Sequence, residues 1–418
     1  MTDAASRPLG RYRVVELPGA VTAQFGKAFA DLGAEVIKVE PPGGDFARSL
    51  PPFAETGKSR DISLYWAAYA AGKQSVTADI ESDSGRDLIR SLAACSDVVA
   101  ESFPPGYLTG IGLGFDDLKR INPGLVMTSI SSFGQTGPYA DRRGSDLLHF
   151  AMSGYLYMTG PPDGRPLKPS APYQTFFHAS MQAMAATMLA LRQRRRTGRG
   201  AHVDQAMRDT GMWMLTHTYQ FWDMLRVNLK RQGATRDMGG LLRLPSIWKA
   251  SDGYVVWLFQ TGHIGGQRMR MLVEWMAAEA RAPEWMLATE WETFDLISAG
   301  AEVSRGLAKM FAAFFATKTK AELFDWALAR GVMLAPVQTL GDVSNDVQLA
   351  AREAWFESKV APEVPPARMP GTPVRMSAAG WEPRGNAPAP GQHNRDVYGR
   401  LLGLDPVDLI ISDATGAV

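Results

Sequence analysis

Leu32-Gly-Ala-Glu-Val-Ile-Lys-Val-Glu40 decides the fold, because a helix end, a glycine turn and a strand follow one another there without a spare residue. Just upstream, Ala23, Phe25, Ala28, Phe29 and Leu32 recur at helical spacing, so Ala20 to Leu32 reads as a helix packed by one face. Gly33 stands where a left-handed cap ends such a helix. Val36 to Glu40 and the earlier run Tyr12 to Leu17 read as short buried strands. Outward from this β-α-β start, Gln74 to Ile80, Val98 to Ala100 and Leu125 to Ile130 read as further strands. An amphipathic helix fills Gly85 to Cys95, with Asp83 or Ser84 as its N-cap. Strands alternating with helices and short loops predict an α/β fold with a mostly parallel, covered sheet. From Phe150 to Arg195 the text is largely helical, and basic Arg192, Arg194, Arg195 and Arg196 mark a solvated helix end that Gly198 stops.

The middle third changes character. Pro245 to Leu258 reads as two strands around an Asp252-Gly253 turn. Met269 to Ala280, Glu290 to Ile297, Arg305 to Ala316 and Lys320 to Arg330 are helical in pattern, which predicts a smaller α+β domain over 228–328. Gly331 to Val337 returns to a strand, so the large domain takes 1–227 and 329–418, built from both chain ends. The stretch 359–390 is dense in proline and glycine and reads as a loop-rich return, ending in a short helix that reaches Leu404.

Composition excludes several classes. The 418 residues carry 44 basic and 43 acidic side chains, a net charge of +1, so no field of one sign recruits nucleic acid or an anionic membrane. One cysteine, Cys95, leaves no internal disulfide framework and predicts a cytoplasmic setting. The first residues lack a signal-peptide pattern, and no apolar run is long enough for a membrane span. The six histidines, His149 and His178 among them, have no metal-ligand spacing, so no metal is expected. A P-loop and a GxGxxG turn are both missing.

Four blocks in order carry more information than any one of them: Leu32 to Glu40, Glu101-Ser-Phe-Pro-Pro-Gly106, Ser129-Ile-Ser-Ser-Phe-Gly-Gln-Thr-Gly-Pro-Tyr139 and Arg196-Thr-Gly-Arg-Gly200. Together they resemble the family III CoA-transferases, the CaiB/BaiF family. The resemblance is strong over the first 210 residues and resumes at Gly331 to Pro336, Asp342 to Leu349 and Gly391 to Gly403. It implies a Rossmann-like large domain made from both chain ends, a small domain, and two subunits interlocked as linked rings. It also implies coenzyme A or acyl-CoA as substrate, with no permanently bound cofactor.

In that family an aspartate attacks the acyl-CoA carbonyl, giving a mixed anhydride that CoA thiolate converts into an enzyme thioester, and the acceptor carboxylate collects the CoA. The aspartate sits a few residues after a proline, ahead of the Arg196-Thr-Gly block. Here that place falls at Thr175, with Gln174, Phe176 and His178 beside it, and no Asp or Glu lies between Asp163 and Asp204. A hydroxyl would give an ester too stable for rapid turnover, whereas an acyl carboxylate stays reactive. By the resemblance, Lys73, Ser102 (where the family has Asn), Phe103 and Arg143 meet CoA, and Asp146 orients the nucleophile. Pro41 and Thr109 or Gly110 stand where arginines are expected. Gly262-His-Ile-Gly-Gly-Gln267 reads as a mobile glycine-rich loop.

The first reading is therefore the nucleophile-lacking subunit of a heteromer, as in two-subunit enzymes of the succinyl-CoA:benzylsuccinate type, partnered by a homologous chain bearing the aspartate. The alternatives are a homodimeric, self-sufficient transferase, racemase or lyase using Gln174, Thr175 or His178, and a non-catalytic acyl-CoA binder. The racemase reading lacks its histidine, whose place is taken by Ser145.

Overall fold

The computed structural model describes residues 7–55, 62–238, 242–360, 364–371, 374–377, 380, 382, 385–405, 407, 408 and 418. The chain divides into two compact units: Met1–Leu156 with Lys168–Arg226 and Val347–Val418, and Tyr157–Leu167 with Val227–Asp346.

The first unit is built on β1 (Arg13–Glu16), β2 (Glu35–Glu40), β3 (Gln74–Thr77), β4 (Val98–Glu101), β5 (Val126–Ser131) and β6 (Ala201–Ala206), all parallel in the order β3-β2-β1-β4-β5-β6. Alternate side chains point to opposite faces of a strand. Val14, Val36, Val98 and Val126 therefore pack on one side with Phe25 and Phe29 of α1 (Ala23–Asp31) and Ala179, Ala183 and Leu191 of α4 (Gln174–Thr197). Val15, Ile37, Val76, Val99 and Met127 pack on the other side with Ile89 and Leu92 of α2 (Asp83–Ala94) and Val397 and Tyr398 of α8 (Asn394–Leu402). Both faces are thus covered, which is why the strands read as near-continuous apolar runs. Strand order reverses between β1 and β4, and in such sheets the crevice for a ligand opens there, at the carboxyl ends of the strands.

The C-terminal return closes the β3 edge. Asn394 accepts from Thr77 N–H at 2.8 Å and donates to its hydroxyl at 2.7 Å, while Tyr398 donates to the Thr77 carbonyl at 2.6 Å. Ser75 and His393 exchange two further bonds, so the ladder groups of β3 do not stay open.

Several expectations need correction. β6 was absent from the sequence reading because its residues alternate between exposed and half-buried at a sheet edge, leaving no apolar run. The N-cap of α2 is Ser82, whose hydroxyl accepts from Gly85 N–H at 3.0 Å, rather than Asp83 or Ser84. Gly33 does take the left-handed conformation, at φ +102°. Arg194 is not a solvated charge: it binds Asp97 at 2.6 Å.

In the second unit, β7 (Ile247–Ala250), β8 (Gly253–Trp257) and β9 (Leu334–Pro336) form an antiparallel sheet. Its aromatic core includes Trp248, Trp257, Trp291, Phe311, Phe314 and Phe315, from the strands, from α7 (Gly300–Phe315) and from the turn region at Trp291. Its limits differ from 228–328 at both ends. β9 pairs with β8, so the strand after Gly331 belongs to this unit, and Arg231 ties Tyr157–Leu167 to it through the carbonyls of Tyr157 and Gly164. The helix expected at Glu290 to Ile297 is instead α6 (Glu284–Ala288), followed by turns that bury Trp291 and Leu296. Gly262 to Gln267 is not a loop but the start of α5 (Gly262–Ala278). A Cβ on Gly266 would stand 2.4 Å from the Trp291 backbone, so glycine is needed there for packing. The described part of 359–390 is loop-rich as expected except for Ala367–Pro370, which pairs antiparallel with Trp355–Ser358, and the rest of that stretch lies outside the described residues.

Beneath the carboxyl ends of β1 and β2 lies a buried charge network. Glu16 binds Lys73 at 2.6 Å and Lys38 at 3.2 Å, and Lys38 binds Asp45 at 2.9 Å. α1 crosses so close that a Cβ on Gly26 would fall 1.8 Å from Glu16 Oε2 and 2.9 Å from Lys73 Nζ. Gly26→Ala is expected to lower unfolding free energy by about 1–3 kcal/mol through this overpacking, read from the denaturant midpoint. An unchanged midpoint would mean that the network yields freely.

Candidate active site

The network builds the floor of the crevice. Lys38 donates to the carbonyls of Leu17 and Gly19, and Asp45 accepts from Gly19 N–H at 2.7 Å, so the loop after β1 is tied to β2. Gly19 (φ +136°) approaches the next loop so closely that a Cβ would lie 2.7 Å from Ser102 Oγ. That second loop turns on Glu101 at the end of β4, whose carboxylate accepts from Phe103 N–H at 2.6 Å. Burial pushes the Glu101 carboxyl up to about 7. Phe103 stacks on Tyr107 with ring centroids 5.0 Å apart.

Above this floor is a cavity of about 490 Å³ lined by Ser102, Phe103, Ser132, Arg143, His149 and Phe176 among others. Three of the expected CoA contacts, Ser102, Phe103 and Arg143, are therefore brought together. Arg143 is exposed and has no ion pair among the described residues, so its charge is available to an anionic ligand. Lys73 is not part of this group. Its ammonium is buried against Glu16 and the Ala23 carbonyl, and its residue lines a separate, open cavity of about 740 Å³ with Gln74, Lys359 and His393. Burial pulls the Lys73 ammonium down to about 8, with Glu16 offsetting only part of it. Lys38 is equally buried, but Asp45 and Glu16 together outweigh burial and hold it above the usual range.

Thr175, at the place of the family nucleophile, is 0 % exposed. Its backbone N–H and its hydroxyl each donate to Asp146 Oδ1 at 2.7 Å. Asp146, from α3 (Asp146–Met152), thus caps the start of α4, whose own preceding residue Tyr173 is left-handed and offers no side-chain cap. With its proton given to Asp146, Thr175 Oγ1 accepts from His149 Nδ1 at 3.1 Å, which makes Nε2 the bare acceptor of a neutral imidazole. His149 is 1 % exposed, and Nε2 has no partner among the described residues. Burial draws His149 down to about 4, with Asp146 opposing. A Cβ on Gly144 would lie 2.2 Å from Nε2, so glycine alone permits the loop before α3 to pass here.

Gln174 donates to the Pro172 carbonyl at 3.4 Å, and His178, half-buried on α4, does not line the 490 Å³ cavity. His149 was missed as a site residue. The signal was its spacing from Asp146, three residues on within one short helix, which places both on one side. Among the described residues no group of three or more His, Cys, Asp or Glu is placed to hold a metal.

Residues 9–394 match CoA-transferase family III. The chain belongs to this family. It is 32% identical to succinyl-CoA:(R)-benzylsuccinate CoA-transferase subunit BbsE of Thauera aromatica over 391 residues, covering 93% of this chain and 92% of the relative. It is 31% identical to the succinyl-CoA:glutarate CoA-transferase of Mus musculus over 402 residues, covering 96% and 87%. A crystal structure of a CAIB/BAIF family protein from Brucella suis shares its fold with a TM-score of 0.77 at 30% identity, over 94% of this chain and 99% of that chain. The chain thus shares the fold of a CAIB/BAIF family protein, with threonine where the resemblance places the nucleophile.

His149 makes a pH prediction. Its folded pKa is depressed, so its contribution to stability is complete above about 6.5 and is lost as pH falls toward 4. Replacing it with uncharged glutamine should flatten the stability profile between pH 7.5 and 4.5 by on the order of 2 kcal/mol, measured by denaturant unfolding. Parallel profiles for the two proteins would count against a buried neutral imidazole.

Proposed function

We propose that this chain is the subunit lacking the nucleophilic aspartate in a heteromeric CoA-transferase, which moves CoA from an acyl-CoA donor to an organic carboxylate. The observation that carries this is Thr175: it has no carboxylate, and its hydroxyl is buried and committed to Asp146. A homologous partner bearing the aspartate would form the anhydride and thioester intermediates, while this chain contributes CoA contacts at Ser102, Phe103 and Arg143 and the second half of the assembly. The relative from Thauera aromatica is itself named as a subunit, which supports a heteromer. The apolar surface after α4 supports a partner subunit, identical or homologous: Trp213 is 65 % exposed, Trp222 50 % and Leu225 64 %, more than a solitary chain ordinarily leaves in water. An interlocked-ring dimer with the homologous chain is the arrangement we propose for covering it. Cys95, unpaired, supports a cytoplasmic setting. Both named relatives use succinyl-CoA, which makes it the donor to test first.

The purified chain alone is expected to exchange CoA between succinyl-CoA and free carboxylic acids at a negligible rate. Adding a homologous aspartate-bearing chain should bring turnover to an ordinary enzymatic rate, about 1–100 per second. Turnover by the chain alone, abolished by Thr175→Ala or His178→Ala, would overturn the heteromer in favour of a self-sufficient enzyme.

A further inference from the structure

A row of polar side chains crosses β4, β5 and β6 on one face of the sheet. Glu101, Ser129 and Asp204 are register partners on the three strands, and His202 stands two residues before Asp204 on the same face. Glu101 and Ser129 are buried, whereas His202 is exposed at the sheet edge, with its ring stacked on Phe115 at 5.2 Å between centroids. Ser129 joins the two: its hydroxyl donates to the Glu101 carboxylate and lies 2.8 Å from His202 Nε2. Glu101 also accepts from Phe103 N–H at 2.6 Å, so an unbroken chain of hydrogen bonds runs from the loop of Ser102 and Phe103 to an exposed imidazole. Asp204, whose two oxygens accept from Gln135 N–H, and Asp116, beside Phe115, are the other charged groups that act on this pair.

A hydroxyl carries one proton, and that fixes how the chain is wired. With Glu101 ionised, Ser129 donates to it, so Ser129 Oγ must accept from His202, whose proton is then on Nε2. With Glu101 protonated, its O–H donates to Ser129, Ser129 donates to His202 Nε2, and the imidazole proton sits on Nδ1. Passing from the first state to the second takes up one proton without opening the sheet: Nδ1 takes it from water, Nε2 gives its own to Ser129 Oγ, and Ser129 gives its own to Glu101. Burial pushes the Glu101 carboxyl up to about 7 and holds His202 below its usual range, so near neutral pH the proton rests on the carboxyl and the ring relays it. We propose that Glu101 is a positioning residue for the CoA contacts Ser102 and Phe103, and that Ser129 and His202 set its charge from solvent. An ionised acceptor holds the Phe103 N–H more strongly than a neutral one, so the loop is firm above neutrality and loosens below it. This rests on the CoA-transferase reading above, since only bound CoA makes the order of that loop count.

The test uses the purified full-length chain, together with any partner that copurifies. Nuclear magnetic resonance of nitrogen-labelled histidine reports the tautomer of His202, its signal assigned by its loss in His202→Phe. Between about pH 8 and 6 the ring should change from the Nε2–H to the Nδ1–H tautomer, as Glu101 takes up its proton. In Glu101→Gln the amide oxygen must meet Phe103 N–H and the amide N–H donates to Ser129, so His202 should stay Nδ1–H throughout. Ser129→Ala should remove the change. Calorimetric titration with CoA over the same range should show affinity falling about fivefold more in the wild type than in Glu101→Gln, the magnitude of one hydrogen bond, with the variant correcting for the titration of CoA's own phosphate. A single tautomer across that range in the wild type, or a change that survives Ser129→Ala, overturns the relay. Equal pH profiles of CoA affinity in the wild type and Glu101→Gln overturn the positioning role. The two layers separate in one sample: a chain that shows the tautomer change but binds no CoA at any pH would refute the transferase reading while leaving the relay standing.

Discussion

Six buried or half-buried charges hold the working end of the sheet together. Glu16, Lys38, Asp45 and Lys73 form one connected set, and Glu40, which receives Arg48 on both oxygens, joins it by accepting from the Asp45 backbone N–H. The signs balance, and the lone pairs and protons are taken up by Gly19 N–H, Ala47 N–H and the carbonyls of Leu17, Gly19 and Ala23. Removing one partner of a buried pair is costly, about 3–5 kcal/mol, because the other charge is left uncompensated. What the network contributes here is placement: it fixes the loop after β1 against the loop after β4, where the strand order reverses. Lys73 belongs to this frame, and its charge is spent within it.

The site itself follows from how buried polar groups are satisfied beside the crevice. α4 begins without a cap of its own, so Asp146 from α3 serves it, and in doing so engages Thr175 and, through it, His149. An aspartate at position 175 would project from the same helix start, where backbone N–H groups favour a carboxylate. The threonine donates to Asp146 from its backbone N–H and its hydroxyl at the place where the resemblance puts the nucleophile. Nearby, Arg143 and Lys168 have no ion pair among the described residues, and each lines one of two adjoining cavities.

The parts of the fold that were legible in the sequence are those set by local pattern. β1, α1, Gly33 and β2 follow from apolar spacing and one glycine, and the hairpin at Asp252-Gly253 from a turn pair between alternating residues. The errors arose where tertiary contacts overrule local pattern. Gly262 to Gln267 reads as a loop by composition, yet it is helical because Gly265 and Gly266 allow α5 to pass close to Gln260 and Trp291. Glu290 to Ile297 has helical spacing, but Trp291 turns inward and donates to the Met286 carbonyl instead. β6 carries no strand signature because its partner, β5, supplies its order.

The sequence by itself determined the α/β class, the family blocks and the lack of any Asp or Glu between Asp163 and Asp204, since each depends on residue identity and short-range spacing. Only the tertiary structure decided that Lys73 turns inward while Arg143 has no ion pair among the described residues, that His149 is held with one ring nitrogen unpartnered among them, and that two unlike cavities share Gly144 and Phe176. Those outcomes depend on which groups find each other across tens to hundreds of residues. Burial raises the stakes of every such pairing, and no local pattern records its result.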